Sequence, residues 1–280
     1  MKVIQVEKRE IDINEFAFRD AHESDYSTLI KEPCIVKHGD KVLAVYLVLP
    51  DKDTKSLRNV VKGVKCSPDR RSKGLIVNAV VFGYTPRKTL TRDYCSSAMM
   101  SHNDPKAHSI VCNFGKTLTK HYQKQCSEVY QQHLETTTTN VKEDWVIEDT
   151  PFTSGIINKN SALRYHFDKG NFKNVYSNMI ALKHGMTGGY LSMPEYDIAL
   201  EITDNSVVLF DGQKILHGVT PIHLLTPDAY RYTIVYYTLQ KMWSCTTPKE
   251  ELDRIKRVKT EREKRRFGQI MGTVPKNFVK

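Results

Sequence analysis

The chain has 280 residues, 40% of them hydrophobic, and a formal net charge of +10. That is enough apolar material for one large core, yet no window approaches the roughly 18 apolar residues of a membrane helix. The positive balance favours polyanionic partners, and the start, "MKVIQVEKREID", lacks the apolar core of a secretory signal, so a cytosolic protein is expected.

Residues 1–100 alternate short apolar runs ("KVLAVYLVLP", "KGLIVNAVVFGY") with charged turns, which predicts a mixed, β-rich region bracing the rest of the chain. The basic "PDRRSKG" at 68–74 reads as a loop. Asp104-Pro105 offers a helix start, with Asp as cap and Pro in the first turn. Beyond it Ile110, Val111, Phe114, Leu118, Tyr122, Val129, Tyr130 and Leu134 recur mostly three and four apart. This spacing predicts one helix of about seven turns, packed on a sheet and closed by "TTTTN" at 136–140.

From Trp145 to about Trp243 eight short runs are separated by turn residues: "GIINKN", "ALRYHFD", "SNMIALKH", "GGYLSM", "DIALEI", "SVVLFD", "KILHGV" and "YTIVYYTL". Eight short strands in about 100 residues predict a jelly roll. The fold class expected is therefore α+β, mainly β. A double-stranded β-helix core with its packing helix would span 101–245, followed by a helical basic extension over 246–280. Residues 249–280 carry eleven Lys/Arg and five Asp/Glu, a net +6 that suits either a solvated helix or contact with nucleic acid.

Cys34, Cys66, Cys95, Cys112, Cys126 and Cys245 form no C-x-x-C pair and read as free thiols. A zinc site drawn from Cys95, His108, Cys112, His121 and Cys126 fits no standard spacing, and ordinary helix packing explains these residues better.

Three features occur in order within the strand block: His166-x-Asp168, His217 and Arg231-x-Thr233. A lone His-x-Asp is weak evidence. In a jelly roll, however, the second and seventh strands lie side by side, so His166, Asp168 and His217 can converge. Two imidazoles and a carboxylate on one face of an ion make the facial triad of non-haem Fe(II) oxygenases. Arg231 would then meet the distal carboxylate of 2-oxoglutarate through two parallel hydrogen bonds, and Thr233 would add a hydroxyl. Arg164 and Lys183 are the alternative cations.

The motifs "FGYTPRKTLTRDYC", "NKNSALRYHFDKGNF", "SNMIAL", "GGYLSMPEY", "VVLFDGQKILHGVTPI" and "RYTIVYY" together resemble the TET/J-binding-protein family of Fe(II)/2-oxoglutarate-dependent dioxygenases. That family hydroxylates the 5-methyl group of pyrimidines in DNA, and its phage-encoded members look most similar. The resemblance runs from about 82 to 245. It implies Fe(II), 2-oxoglutarate and O₂. It also places Asn158 and Asn160 in the family's Asn-x-Asn, beside the cosubstrate, and Asn171 where the extruded base is contacted. An Asn could read either 5-methylcytosine or thymine, because it both donates and accepts. His184, Tyr190 and Tyr196 are further stacking candidates, though sheet packing explains each equally well.

The resulting expectation is oxidation of 5-methylcytosine to 5-hydroxymethylcytosine in double-stranded DNA by a monomer with no membrane partner. The alternatives are thymine oxidation to 5-hydroxymethyluracil, hydroxylation of a small molecule or nucleotide, and a non-catalytic DNA-binding β module.

Overall fold

The computed structural model describes residues 1–70, 76–88 and 92–271. Residues 71–74 of the expected basic loop and 272–280 of the tail lie outside the described residues, while Ser67–Arg70 is a strand.

In chain order the strands are β1 (Lys2–Gln5), β2 (Thr28–Ile30), β3 (Cys34–His38), β4 (Lys41–Val48), β5 (Ser67–Arg70), β6 (Ile76–Thr85), β7 (Ser96–Ser97) and β8 (Ser154–Lys159). They continue with β9 (Ser177–His184), β10 (Met186–Gly188), β11 (Leu191–Met193), β12 (Ile198–Leu200), β13 (Ser206–Phe210), β14 (Gly218–Val219), β15 (Ile222–Leu224) and β16 (Tyr230–Tyr237). The helices are α1 (Ile13–Phe16), α2 (Asp51–Val61), α3 (Met100–Asn103), α4 (Pro105–Gln125), α5 (Ser127–Asn140) and α6 (Pro248–Ile270).

The major sheet runs β1-β3-β4-β13-β9-β16-β8-β6-β5 with β7 beside β6, the minor sheet runs β14-β11-β12-β2, and β10 pairs with β15. N-terminal strands β3 and β4 thus extend the major sheet through β13.

Period-two alternation sorts the major sheet's side chains. Ile180 and Leu182 of β9 and Tyr232, Ile234 and Tyr236 of β16 share a core with Leu57, Val61, Val111, Leu118 and Tyr122 of the helices. Met179, Arg231, Thr233 and Val235 instead face the cavity between the sheets, where Leu191 and Val219 supply the minor-sheet wall. The opposed sheets form a double-stranded β-helix, and its opening holds the candidate site. Among the described residues, no helix is long and apolar enough to cross a membrane.

Helix α4 starts as expected, with Asp104 accepting from the Ala107 N–H at 3.0 Å and Pro105 in the first turn. The expected single helix is nevertheless two. At Cys126 the backbone leaves the helical region (φ −140°, ψ 53°), and α5 begins at Ser127. The break lets His133 pack edge-on to Phe152 at 5.6 Å while the Thr137 hydroxyl donates to the Pro151 carbonyl at 3.0 Å. The three-and-four spacing runs straight through the break, so periodicity could not reveal it. "TTTTN" is the last turn of α5 and not a stop beyond it.

The cysteines require a second correction. Cys95 and Cys245, 150 residues apart, are joined by a disulfide with their Cα atoms 5.7 Å apart, while Cys34, Cys66, Cys112 and Cys126 are free. This removes Cys95 from the conceivable zinc set. Cys112 does lie 3.6 Å from the His108 ring, and burial pushes its thiol up to about 11, but among the described residues this pair gathers no third metal-ligating side chain.

A third correction concerns the strand count between 145 and 243, which is nine rather than eight. "ALRYHFD" is not a strand, and "KILHGV" contributes only Gly218–Val219. Instead of a strand, Tyr165 has the irregular N-terminal chain as its partner. The Phe18 N–H donates to the Tyr165 carbonyl at 2.9 Å, and the Tyr165 N–H donates to that of Arg19 at 3.0 Å.

Helix α6 opens with a capping box between Thr247 and Glu250. Its buried Glu251 pairs with Arg87 and accepts from the Cys95 N–H at 2.9 Å, and Arg254 pairs with Asp93. The start of the extension is therefore built into the fold, and the residues from 256 to 267 are mostly exposed.

Candidate active site

His166 and His217 converge without regular strands. They form an isolated antiparallel bridge, with the His166 N–H donating to the His217 carbonyl at 2.9 Å and the reverse bond at 3.2 Å. Their rings lie 4.4 Å apart, and Asp168 Oδ1 is 3.6 Å from His166 Nε2. One ligand atom from each of the three lies within 4.8 Å of the other two.

Each imidazole is locked in the same way. Nδ1 faces the carbonyl two residues upstream, Arg164 for His166 at 2.7 Å and Ile215 for His217 at 2.8 Å. A carbonyl only accepts, so Nδ1 carries the proton and Nε2 offers its lone pair. Burial lowers the His217 pKa to about 4, with the neighbouring His166 adding to the effect, so this ring is neutral at neutral pH. Two imidazoles and a carboxylate suit a divalent ion such as Fe(II). Gly212 keeps the space open. Its carbonyl accepts from the Asp168 N–H at 2.8 Å, and a Cβ there would stand 2.5 Å from Asp168 Oδ2.

The other end of the cavity is built on continuous strands. Arg231, only 2% exposed, donates to the Gly189 carbonyl at 3.1 Å, but its Nε has no partner. Burial lowers its pKa to about 10. A guanidinium held out of water without a carboxylate is costly unless an anion completes it, and a dicarboxylate fits that need. Gly189 adopts φ +69°, and a Cβ there would come 2.9 Å from Arg231 Nε, so this position excludes a side chain twice over. Thr233 and Asn158 are cross-strand partners beside it, and both line the cavity.

Asn160 serves the strand instead. It adopts φ +47°, and its side-chain oxygen accepts from the Arg231 N–H at 2.7 Å. It braces β16 and does not line the cavity. Of the alternative cations, Arg164 lines the cavity but pairs with Asp20, and half-buried Lys183 has its pKa lowered by burial and by nearby Arg231. His184, Tyr190 and Tyr196 do not line the cavity.

Asn171 is buried and tied down, not a free turn residue. Its Nδ2 donates to Ser177 Oγ at 3.0 Å and reaches Asp168 Oδ2 at 3.5 Å, and its carbonyl accepts from Gln213 at 2.7 Å.

The cavity encloses about 750 Å³ and includes residues that sequence reasoning missed: Ile13, Asn14, Ala17 and Phe18. They belong to a segment clamped onto the His166 region. Arg19 pairs with Asp25, and the Tyr165 hydroxyl donates to Asp25 at 3.0 Å and lies 2.7 Å from Ser192 Oγ. Phe18 turns there with φ +67°, which its sequence does not advertise.

Residues 83–240 match the Tet/JBP family, described as the oxygenase domain of the 2OGFeDO superfamily. A structure of NgTET1 in complex with 5mC DNA superposes with a TM-score of 0.56 at 14% identity, covering 82% of this chain and 90% of that one, which shows the shared fold. A 2OG-Fe(II) oxygenase-family oxidoreductase from Burkholderia pseudomallei gives 0.44 at 12% identity over 69% and 84%, and OsALKBH1 gives 0.41 at 15% over 70% and 97%. No curated protein matches in sequence. The family match spans more than half of the chain and includes the His166, Asp168, His217 and Arg231 positions, and so this chain belongs to the TET/J-binding-protein family and is a dioxygenase of the Fe(II)/2-oxoglutarate superfamily.

Proposed function

We propose that this dioxygenase hydroxylates the 5-methyl group of 5-methylcytosine in DNA, with Fe(II) on His166, Asp168 and His217 and 2-oxoglutarate on Arg231. The observation that carries the reading is a buried arginine lacking an anion, in the same cavity as the two imidazoles and the carboxylate. Membership of the family, and the likeness to a protein solved with 5mC DNA, support DNA as the substrate.

Iron with 2-oxoglutarate and O₂ supplies the oxidising power for the methyl C–H bond. The chain's part is to hold and to exclude. Arg231 binds the distal carboxylate, and Thr233 and Asn158 add polar contacts beside it. Met179, Leu191, Phe210, Val219 and Val235 keep the wall apolar. The Nδ1 bonds hold both imidazoles in their ligating orientation.

Asn171 favours cytosine over thymine. Asp168 can only accept, so Nδ2 must be the atom facing it, and Ser177 engages the same nitrogen. The side-chain oxygen is left to accept from a base. At the 4-position the N4 amine of cytosine donates to such an oxygen, whereas O4 of thymine does not and thymine could meet it only through N3–H.

The test is nucleoside mass spectrometry of methylated and unmethylated duplexes after incubation with the enzyme, Fe(II) and 2-oxoglutarate. A 5-hydroxymethylcytosine peak from the methylated duplex alone is expected. A 5-hydroxymethyluracil peak would move the assignment to thymine. Succinate formation with no change in either DNA would overturn a DNA substrate in favour of a small molecule.

A further inference from the structure

Three segments outside regular strands join into one rim around the cavity mouth. Asn171 bridges to Leu239, the Phe172 N–H donates to the Thr238 carbonyl at 2.9 Å, and the Gln240 N–H donates to that of Gly170 at 3.1 Å. On the other side Gln213 donates to the Asn171 carbonyl at 2.7 Å, and Lys214 contacts Asn174. The segments 168–174, 211–214 and 239–244 are therefore tied into one body, and Lys169, Gly170, Asn171 and Leu239 line the cavity itself.

This rim has an unusual surface. It carries four exposed lysines, Lys169, Lys173, Lys214 and Lys241, while its only carboxylates are Asp168 of the triad and buried Asp211. It also carries Trp243, 42% exposed, whose ring stands edge-on to buried Phe172 at 5.4 Å. The chain's other tryptophan, Trp145, is 6% exposed and donates through its ring N–H to the Thr246 carbonyl. Phe172 seats the Trp243 ring and leaves much of it open to solvent.

Lysine is depleted in protein–protein interfaces, so this combination does not describe a protein-docking patch. Four exposed lysines against two carboxylates, set around an aromatic plate, describe a surface for a nucleic-acid strand, with ammonium groups on phosphates and the ring against a base.

We propose that this rim holds the DNA strand at the cavity mouth, with Trp243 stacking on a base next to the one entering the site and Lys169, Lys173, Lys214 and Lys241 on its phosphates. The inference rests on the proposed action on DNA, and it assigns that action a binding surface.

Of the two tryptophans only Trp243 is exposed, so the share of the intrinsic emission that Trp243→Phe removes is the signal that contact at the rim would quench. The probe is a short duplex containing 5-methylcytosine, titrated into the full-length protein, with affinity followed in parallel by anisotropy of the labelled duplex. Tryptophan emission should be quenched along the same curve as binding. Trp243→Ala should weaken binding about tenfold, and Trp243→Phe, which keeps a ring, should stay within about threefold of wild type. Lys169→Ala combined with Lys241→Ala should lower the slope of log affinity against log salt by about two. Melting curves confirm that the variants are folded, and if Trp243→Ala is not, the wild-type quench and Trp243→Phe decide. Full binding without quenching, or unchanged affinity in Trp243→Ala, would overturn the rim. Wild-type protein that neither binds nor oxidises the duplex would instead defeat the proposed function. Oxidation that survives with all rim variants at wild-type affinity defeats the rim alone.

Discussion

The two ends of the cavity are built by opposite means. Arg231, Thr233 and Asn158 stand on β16 and β8, where one ladder from Tyr232 opposite Lys159 to Tyr237 opposite Ser154 and a second that sets Arg231 opposite Lys183 of β9 fix each side chain's face. The candidate metal end has no such ladder. His166, Asp168 and His217 are placed by one isolated bridge, two carbonyls, the Gly212 backbone and an N-terminal clamp. A sheet positions groups cooperatively and tolerates local change, whereas single backbone contacts position them individually. The metal end should therefore be the more fragile of the two, and substitutions at each end should produce separable defects.

The largest effects belong to the three proposed ligands. His166→Ala, Asp168→Ala and His217→Ala should each abolish turnover, because two remaining ligands no longer define a facial site. Iron content after purification checks this, and iron retained at wild-type stoichiometry in any of them would break the assignment.

Arg231→Met comes next. Removing one partner of a buried charged pair costs about 3–5 kcal/mol, so the 2-oxoglutarate requirement should rise by roughly a hundredfold or more while iron binding persists. The ligand-free variant should melt no lower than wild type, since an unpaired buried charge has been removed. Added 2-oxoglutarate should raise the melting temperature of wild type and not of the variant. Equal ligand shifts in both would mean that another cation holds the carboxylate.

Two glycines sharpen the contrast. Gly212→Ala pushes a methyl group against Asp168 and should weaken iron affinity about 10- to 100-fold with a smaller change in cosubstrate requirement. Gly189→Ala should do the reverse, because its methyl group meets the Arg231 guanidinium and its φ of +69° adds about 1–2 kcal/mol of strain. Isothermal titrations of metal and cosubstrate against both variants measure the crossover, and a shared pattern would dissolve the distinction between the ends.

Asp25→Ala leaves both ends intact but loosens the clamp by removing the acceptor of Arg19 and Tyr165. A loss of about 1–3 kcal/mol in stability is expected, with iron affinity falling further than 2-oxoglutarate affinity. Denaturant titration alongside metal titration tests it.

The smallest effect is expected from the tail. Truncation after Ile255 preserves the Glu251 and Arg254 contacts and removes the mostly exposed basic part of α6 together with the residues beyond it. The salt slope of DNA binding should then fall by about two, with turnover on DNA at low salt little changed. An unchanged slope would make this part of the helix a solvated extension.

Features that depend on short spacing were legible in the residues alone. Period-two alternation in "SNMIALKH" and "RYTIVYY" marked two central strands and which of their residues share a face. Asp104-Pro105 marked the start of α4. The order His-x-Asp, His, Arg-x-Thr marked a set of residues that the fold gathers around one cavity. Features that depend on contacts between distant segments were settled only by folding. Nothing local to Cys95 announces Cys245, nothing in the helical spacing announces the break at Cys126, and Ile13 to Phe18 have no pattern that places them in a cavity wall. His166 looked like a strand residue because alternation reports which side a residue faces. Whether a neighbouring strand exists to pair with it depends on the rest of the chain, and here His166 meets His217 in a single bridge while Tyr165 beside it bonds the irregular N-terminal segment, through hydrogen bonds that no spacing encodes.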